Sequence, residues 1–441
     1  MNSKTFVFTV TTILSASTLF AEPRVDQSAV TLAQDSQSRL VTVGYELTGE
    51  PAVVTVDFQT NTLANAAGDW VSIGDVNFTN VIGDVNQVVQ IGSHAIYWQP
   101  DKSWPDQRIN DGRVRAVVKA WATNAPPDYC VVCLLTDAQM EERRAVDITS
   151  WNFPRRRYFV SKEAVPGGVT NQMYKTQFLV LRKIPAAGVV WRRVYPCWNK
   201  DMTTVTPHKV MLTKDYYIGV YEMTIGQLSN IRGTGDTTSL FAQGWVTWNN
   251  LRGTYTDYPW PDANTNANPT VASDSLIGQL RTVSGIDSFD LPTEAQWEYA
   301  CRAGNGGWSY TQTTYIQKVT DTAAQNLLKA VGWFSSNSGN SVHVVGEKPA
   351  NAWGLYDTLG NVGEWTLNWF GSYPEPSDPN DILLVDPVGP VSNPGNTKTV
   401  KGAHFKANTT ERGWIGHRDA KSPGTSDSIY GYRVVCDAVA K

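Results

Sequence analysis

The chain has little charge for its size: Asp, Glu, Lys and Arg make up 18% of its 441 residues, against ~25% in an average soluble protein. It has no basic stripe and its formal net charge is −4, which argues against a nucleic-acid-binding surface. Beyond its N-terminal segment it also lacks any uncharged run long enough to cross a bilayer, which takes ~20 apolar residues. Neither a nucleic-acid partner nor a membrane span is therefore expected.

The N-terminal segment has the pattern of an export signal. Residues 1–4 include one basic side chain, residues 5–20 carry no charge, and Ala21 offers a cleavage point. A transmembrane anchor is the alternative, but the uncharged run is shorter than a bilayer requires. We therefore predict a signal peptide at residues 1–21 and a secreted or periplasmic protein.

Cysteine is also scarce, with five in the whole chain, and export makes each of them a candidate for a disulfide. Cys130 and Cys133 form a Cys-x-x-Cys, but no second ligand pair at zinc spacing accompanies it. The residues around Cys133 favour a strand, whereas a redox pair needs a helix N-terminus. We interpret both as structural or unpaired thiols, and the pairing of Cys130, Cys133 and Cys197 stays open.

Residues 22–140 alternate apolar and polar positions in short runs, with Gly, Asn and Asp clusters between them. The clearest strand candidates are residues 30–46, 51–58, 94–98 and 114–121. About seven short strands in this length predict an immunoglobulin-like sandwich. Its tryptophans are interpreted as core or rim residues rather than a ligand platform: Trp98, Trp104 and Trp121.

Residues 141–173 are predicted to be a linker. The basic run Arg155-Arg156-Arg157 is interpreted as a solvated turn and Pro166-Gly167-Gly168 as a flexible connection. This interpretation places a boundary near residue 170 and a second domain at residues 174–441, with short strands, Gly-rich loops and helices. The predicted fold class is α+β, with an all-β domain followed by a mixed one.

The clearest helix candidate begins after Thr293, in the run LPTEAQWEYACRAG. Thr293 and Gln296 have the spacing of a capping box, and Gly304 provides a left-handed stop. Trp297 and Cys301 fall on one face at helical spacing. The pattern predicts a short amphipathic helix.

This run also resembles the helix signature of the formylglycine-generating enzyme (sulfatase-modifying factor) family. Four further blocks resemble motifs of that family in the same order: YIGVYEMTIGQ at 217–227, NAWGLYDTLGNVGEW at 351–365, VKGAHF at 400–405 and YGYRVV at 430–435. The resemblance covers roughly residues 174–440 and implies a loop-rich α+β fold of the C-type-lectin-like kind.

Enzymes of that family oxidise a sulfatase cysteine to formylglycine with O2 and a copper ion held by two cysteines, which are the soft ligands that Cu(I) prefers. The resemblance places those two positions on Ala407 and Arg412, and no cysteine lies between Cys301 and Cys436. No catalytic residue is therefore assigned, and copper is not expected. Nearby side chains that could ligate another metal are interpreted as hydrogen-bonded or exposed instead: His404, His417 and Asp419.

The resemblance also implies a calcium site made of hard oxygen ligands. The positions carried over are the Asp357 side chain, the backbone carbonyls of Gly360 and Val362, and the Glu364 side chain. The alternative is that Glu364 pairs with Arg418 or Arg433 and that Asp357 caps a turn. Calcium is the predicted cofactor.

A disulfide is the last feature that the resemblance implies. Members of the family can join a cysteine of the signature helix to one that follows the Gly-Phe-Arg strand. Here Cys301 takes the first place, and Cys436 lies two residues beyond the second, which on a strand keeps the same face. We predict that these two cysteines form a disulfide.

Two functions stay open at this point. The first is an exported, non-catalytic module that binds a protein or a glycan; the alternative is a formylglycine-generating or other metal-dependent oxidoreductase that acts on a protein cysteine. Four tryptophans are candidates for the lining of a ligand groove, although most are interpreted as core: Trp353, Trp365, Trp369 and Trp414.

Overall fold

The computed structural model describes residues 21–61, 69–78, 81–108, 112–146, 154–193, 208–253, 271–304, 322–371, 383–390, 395–408 and 415–440. The predicted signal peptide up to residue 20 lies outside these ranges, as do Cys197, Arg412 and Trp414.

The N-terminal part of the described chain is all-β apart from short single-turn helices. Its strands are β1 (Arg24–Val25), β2 (Thr31–Gln34), β3 (Val41–Thr48), β4 (Ala52–Thr60), β5 (Val71–Ser72), β6 (Val81–Gly83), β7 (Val88–Val89), β8 (Gly92–Trp98) and β9 (Val114–Ala122). One sheet has the order β1-β3-β8-β6, with β2 also on β3, and the other has β5-β4-β7, with β9 on β4. The single-turn helices are α1 (Pro100–Ser103) and the 3₁₀ segments Gln27–Ala29 and Asp75–Phe78.

The two sheets share one apolar core, so this region is a β-sandwich. β3 alternates buried and less buried residues along its length, as expected for a strand with one face on a core. The Phe58 ring from one sheet stacks on Trp98 from the other at 4.2 Å, and Trp104 stacks beyond Trp98 at 6.3 Å. The prediction that Trp98, Trp104 and Trp121 are core or rim residues is confirmed, since all three pack in or against core clusters. The finer immunoglobulin-like topology stays a prediction.

The C-terminal part mixes helices and sheets, which confirms the α+β class. Its strands are β10 (Tyr129–Cys133), β11 (Arg156–Phe159), β12 (Phe178–Ile184), β13 (Val190–Arg193), β14 (His208–Met211), β15 (Tyr216–Gly219), β16 (Gly363–Trp369), β17 (Leu383–Val385), β18 (Lys398–Lys401), β19 (Asp419–Lys421), β20 (Tyr430–Gly431) and β21 (Val435–Asp437). Its helices are α2 (Asp137–Val146), α3 (Ile225–Arg232), α4 (Trp248–Arg252), α5 (Leu276–Ser284), α6 (Glu294–Cys301) and α7 (Thr322–Val331), with a 3₁₀ turn at Gln172–Lys175.

Three sheets position the helices and loops of this part. A five-stranded sheet has the order β11-β10-β12-β15-β21, a four-stranded one β19-β18-β16-β20, and a three-stranded one β13-β14-β17. Within the described ranges no helix is both long and apolar enough to traverse a bilayer.

The predicted domain limits are wrong between residues 122 and 174. The prediction places β10 in the first domain and β11 in the linker, but both strands pair in the five-stranded sheet of the second domain. The side chains of Tyr129 and Val131 pack in the same core cluster as Val345 and Val362. The physical reason is that β10 offers two buried faces and bonds to β12 along its whole length, so the change of domain follows β9.

The basic run is not a solvated turn. Arg156 and Arg157 begin β11, and the Arg157 side chain is buried, with its guanidinium donating to the Val81 carbonyl at 3.3 Å and lying over the Phe159 ring. Burial lowers the pKa of Arg157 to about 10. Its contact with β6 ties the sandwich to the C-terminal domain.

The predicted helix is present as α6. The Thr293 hydroxyl accepts from the Gln296 amide, and the Gln296 side chain accepts from the Thr293 amide, which completes the capping box. The helix ends at Cys301, earlier than the Gly304 stop, because Ala303 at φ 50° already takes the left-handed conformation before Gly304 at φ 70°.

Candidate functional site

The loop that leads into β16 carries the predicted calcium positions, and its backbone is unusual. Asp357 and Asn361 have φ of 52° and 54°, a region that non-glycine residues seldom occupy. Gly360 has φ 83°, and a Cβ there would lie 2.4 Å from the Trp333 carbonyl oxygen, so the close approach requires glycine. The loop is thus held in one shape by tertiary contacts.

Three buried carboxylates and one arginine, which we call the acidic cluster, meet around this loop: Glu222, Asp357, Glu364 and Arg433. Arg433 Nη2 donates to Glu364 Oε1 at 2.8 Å, and its Nε lies 3.2 Å from both oxygens of that carboxylate. Glu222 accepts from the Val362 amide at 3.0 Å and from the Asn361 side chain at 2.6 Å. The alternative foreseen for Glu364, a pair with Arg433, is present.

The pKa values of two carboxylates in the acidic cluster, Glu222 and Asp357, are raised. Burial, followed by the nearby charges of Asp357 and Glu364, raises the pKa of Glu222 well above its usual range. Burial also raises the pKa of Asp357 to about 6. At both carboxylates burial outweighs the opposing effect of the neighbouring cations, which are Arg433 and, at Asp357, also Lys175.

The residues of the loop fit a calcium ion at Asp357. Its Oδ2 accepts from the Gly346 amide, whereas its Oδ1 is buried and has no hydrogen-bond donor in the part of the chain that the structure describes. A buried hard oxygen in an excess of negative charge is what Ca²⁺ prefers. Glu364 would have to divide its carboxylate between the ion and Arg433, so the calcium site stays a prediction, with Gly360 and Val362 contributing only backbone carbonyls.

A second group of buried charges, which we call the basic cluster, surrounds helix α6: Arg193, Arg302, Lys401 and Arg418 around Glu294 and Glu298. Arg302 Nη2 lies 2.7 Å from Glu298 Oε1, and Lys401 Nζ lies 3.5 Å from the other oxygen of that carboxylate. Arg418 Nη2 lies 2.8 Å from Glu294. Here the cations outnumber the carboxylates.

The basic cluster shifts pKa values in the opposite direction. Burial alone would raise the pKa of Glu294 and Glu298, but the neighbouring arginines and Lys401 outweigh it and hold both well below their usual range. Burial lowers the pKa of Lys401 to about 8, although Glu298 acts against the shift.

Trp297 separates the two clusters and contacts both. Its indole N–H donates to Glu364 Oε2 at 2.7 Å, and Lys401 Nζ lies 5.3 Å from the centre of its ring. Helix α6 therefore contributes Glu294 and Glu298 to the basic cluster, and it places Trp297 against the acidic cluster.

The first of the two positions that hold copper in the resembled family is occupied here by Ala407, which has no ligating atom in its side chain. The Ala407 side chain is buried in a cluster that includes Trp297, Phe334 and Ile415. The second position, Arg412, lies outside the described residues. In the described part of the chain, no three His, Cys, Asp or Glu side chains converge to hold a metal, and the predicted calcium set, with two carboxylates and two carbonyls, is a different kind of site.

The predicted disulfide between Cys301 and Cys436 is absent: both are free buried thiols in different core clusters. Cys301 faces the Thr358 carbonyl from α6, whereas Cys436 pairs with Tyr217 across the β15–β21 ladder. Burial raises the pKa of Cys301 to about 12 and that of Cys436 well above its usual range. The reason is positional, since α6 presents Cys301 to the loop before β16 and not to the sheet.

The Cys-x-x-Cys lies on strand β10, as predicted. Cys130 and Cys133 point to opposite faces of the sheet, into different clusters, and the Cys133 sulfur lies 3.6 Å from that of Met140. Burial raises the pKa of Cys130 to about 12, so its thiolate is disfavoured.

The remaining candidates are mostly structural. His404 is buried and its ring meets Tyr430 edge-on at 6.4 Å, and His417 lies 3.4 Å from Asp419. Trp365 and Trp369 are buried core residues, and Trp353 is partly buried against the core.

Part of the chain is similar in sequence to a known protein family and to several characterised proteins. The profile of the "Sulfatase-modifying factor enzyme 1-like domain" matches residues 187–438. The chaperone protein LppX of Paenibacillus barcinonensis is 28% identical over 259 residues, which are 50% of this chain and 81% of that protein. The formylglycine-generating enzyme of Mycobacterium tuberculosis is 32% identical over 168 residues, 34% of this chain and 52% of the enzyme.

Solved structures are similar at a lower level. Treponema denticola variable protein 1 has a TM-score of 0.41 and 21% identity, over 59% of this chain and 95% of that chain. PvdO from Pseudomonas aeruginosa has a TM-score of 0.38 and 18% identity, over 58% of this chain and 94% of that chain. The chain spans about half of the Mycobacterium enzyme's length.

Proposed function

The chain belongs to the sulfatase-modifying factor enzyme 1-like family, and on that premise we propose that it is a non-catalytic member, an exported module whose C-terminal domain binds a protein or a glycan. The observation that carries this proposal is the pair of copper positions, which fall on Ala407 and Arg412. An alanine packed against Trp297 and Phe334 offers no soft ligand, and Cu(I) chemistry requires one.

The competing function is an oxidoreductase that uses another metal. It would need convergent side-chain ligands, and the described residues supply no group of three. Elemental analysis of the purified protein separates the two functions. We expect calcium without stoichiometric copper or iron, and either redox metal at one per chain would favour the oxidoreductase.

The direct test offers the protein a Cys-x-Pro-x-Arg peptide with copper and a reductant under air. We expect mass spectrometry to recover the peptide unmodified, because this chain lacks the paired thiolates. The formylglycine-generating enzyme of Mycobacterium tuberculosis, run in parallel, is the positive control. A formylglycine product from this chain would contradict the proposal.

Calcium is proposed as a structural ion of the loop before β16. What supports it is the buried Asp357 oxygen, which has no hydrogen-bond donor among the described residues, and the closeness of Glu222 to the charges of Asp357 and Glu364, which together with burial raises the pKa of Glu222. In this role the ion would hold Asp357 and Glu364 together, and Arg433 would neutralise the rest of the acidic cluster.

A further inference from the structure

Hydrogen bonds fix three successive peptide groups of the loop between residues 360 and 363. In the first, the Asn361 N–H donates to the Trp333 carbonyl at 2.9 Å, and in the third the Gly363 N–H donates to the Ile429 carbonyl at 2.7 Å. The carbonyl of a planar trans peptide points opposite to its N–H. The two carbonyls predicted to bind calcium belong to these two groups, so each points away from the acceptor of its own peptide N–H.

Glu222 holds the peptide group that lies between them. The carbonyl of that group, from Asn361, accepts from the Phe405 N–H at 2.8 Å, and its N–H, from Val362, donates to Glu222 Oε1 at 3.0 Å. The second carboxylate oxygen of Glu222 accepts from Asn361 Nδ2 at 2.6 Å. One side chain is therefore bonded to the loop at two adjacent residues, between the two predicted carbonyl ligands.

Both donors that meet Glu222 have fixed directions. The Val362 N–H is part of the backbone, and the Asn361 side chain is oriented because its Oδ1 accepts from the His343 N–H at 2.9 Å. Glu222 and Asn361 are both 0% exposed, so bulk water does not reach either contact. The position therefore requires a side chain that offers two acceptors.

Glu222 itself is carried by a part of the fold that is fixed independently of the loop. It follows strand β15, which ends at Gly219. The next residue, Met223, donates its N–H to the Tyr432 carbonyl at 2.9 Å, and its carbonyl accepts from the Gln243 N–H at 2.8 Å. A carboxylate held in this way is a rigid support for an ion-binding loop.

We infer that Glu222 is a positioning residue for calcium, which sets the affinity of the loop by holding the peptide group between residues 361 and 362. The inference rests on the calcium ion proposed above and assigns the residue that orients its site. Groups that orient the ligands of a metal typically change its affinity about 10- to 100-fold when they are removed.

Three substitutions separate positioning from charge. Glu222→Gln turns one acceptor into a donor, so an N–H meets another N–H whichever way the amide turns. Glu222→Asp keeps the charge but is too short to reach both donors. Asn361→Gly removes one of the two bonds without changing any charge, and glycine tolerates the left-handed φ of 54°. We expect each variant to bind calcium about tenfold more weakly or worse.

Calorimetric titration of the calcium-free, folded protein measures the dissociation constant. Terbium(III), a hard ion that takes oxygen-ligand calcium sites, adds a spectroscopic signature of this site. The Trp297 indole N–H donates to Glu364 Oε2 at 2.7 Å, so the indole is placed to sensitise terbium emission. We expect the sensitised emission to develop at about tenfold higher terbium concentration in the variants than in the wild type.

The matched control is Asn340→Gly. Asn340 also has a left-handed φ, of 60°, but it is exposed, so this variant should bind both ions as the wild type does. Circular dichroism in the presence of a chelator first establishes that every variant is folded. A purely structural role for Glu222 would lower stability in the chelator and leave the calcium affinity of the folded protein unchanged.

The outcomes separate this inference from the proposals on which it rests. Equal affinities of the wild type, Glu222→Asp and Asn361→Gly would overturn the positioning role and leave the calcium site standing. A loss in Asn340→Gly as large as in Asn361→Gly would also overturn it, because the effect would then come from glycine itself. A wild type that binds neither ion would overturn the calcium site and this inference together. The absence of catalysis is tested separately, by the peptide oxidation assay.

Discussion

The acidic and basic clusters are equally buried and share Trp297, yet they carry opposite surpluses of charge. Burial raises the pKa values of Glu222 and Asp357, although Arg433 and, at Asp357, Lys175 act against the shift. Around Glu294 and Glu298 the cations are in excess, so the carboxylates stay ionised and the pKa of Lys401 falls instead. Burial therefore shifts the pKa of the groups whose charge is in excess: carboxylates in the acidic cluster and Lys401 in the basic cluster.

This difference decides where a cation can be added. The acidic cluster accepts a proton or a divalent ion, since either reduces its surplus. The basic cluster does not, because any added positive charge would meet Lys401 and three arginines. The domain thus confines its predicted ion site to one side of the Trp297 indole.

Removing the cation of the acidic cluster should have the largest effect. We expect Arg433→Met to lower the free energy of unfolding by about 3–5 kcal/mol, because Glu364 would be left buried without its partner. Arg433 also donates to the carbonyls of Gly219 and Tyr356 at 2.8 and 2.7 Å. Urea unfolding followed by circular dichroism measures the loss.

The matched control is an arginine whose ion pair is exposed. Arg39 lies 3.5 Å from Asp101, and both side chains are more than half exposed. Such pairs contribute about 0–1 kcal/mol, so Arg39→Met should be nearly neutral. An equally small effect of Arg433→Met would mean that the acidic cluster does not depend on its arginine.

Removing a cation from the basic cluster should do the opposite. The pKa of Lys401 falls from 10.5 to about 8 in the folded protein, so the unfolded chain binds more protons between pH 8 and 10.5 and wild-type stability rises across that window. At pH 7 the buried ammonium costs about 3 kcal/mol. We expect Lys401→Met to gain stability of that order at pH 7, and the gain to shrink as the pH approaches 10.

Thermal unfolding at several pH values measures the gain. Lys162→Met is the control, since Lys162 is exposed beside Glu163 and its loss should change little. A Lys401→Met protein less stable than the wild type at pH 7 would show that the pair with Glu298 outweighs the cost of burial.

Of the three changes, the addition of calcium should have the smallest effect on stability. At about 100 times its dissociation constant an ion stabilises the folded state by about 2.7 kcal/mol, so we expect added calcium to raise the unfolding temperature and a chelator to lower it. Asp357→Gly, which keeps the left-handed backbone and removes the carboxylate, should abolish this response. Asp101→Asn should retain it, and a calcium response in Asp357→Gly would place the ion elsewhere.

Features encoded by neighbouring residues could be predicted from the sequence. Helix α6 follows from Thr293 and Gln296, whose capping box needs only residues three apart. The β-rich N-terminal region is predicted by its alternating apolar and polar residues, and the α+β C-terminal region by the blocks that resemble the family's motifs. The resemblance to the family predicts the place of the loop from Asp357 to Glu364, whose two acidic side chains are buried in the structure.

Features that depend on distant partners could not be predicted. Glu222 lies in a recognised motif, but its role depends on the Val362 amide, 140 residues away. Arg193 is buried because Glu298 meets it from 105 residues away. A run of three arginines resembles a solvated turn until the Val81 carbonyl and the Phe159 ring are available to Arg157. The absence of a Cys301–Cys436 disulfide could not be predicted for the same reason. The direction of the Cys301 side chain is set by the packing of α6 against distant parts of the chain.

The strand order β11-β10-β12 at one side of the five-stranded sheet has a consequence for how fragments of this protein can be made. A gene fragment trimmed to residues 187–438, the stretch matched by the family profile, would lose β10, β11 and β12 entirely. The remaining sheet would end in a bare row of amides and carbonyls, the kind of edge that seeds aggregation. A recombination that replaces the sandwich would therefore have to keep the chain from about Tyr129 onward intact.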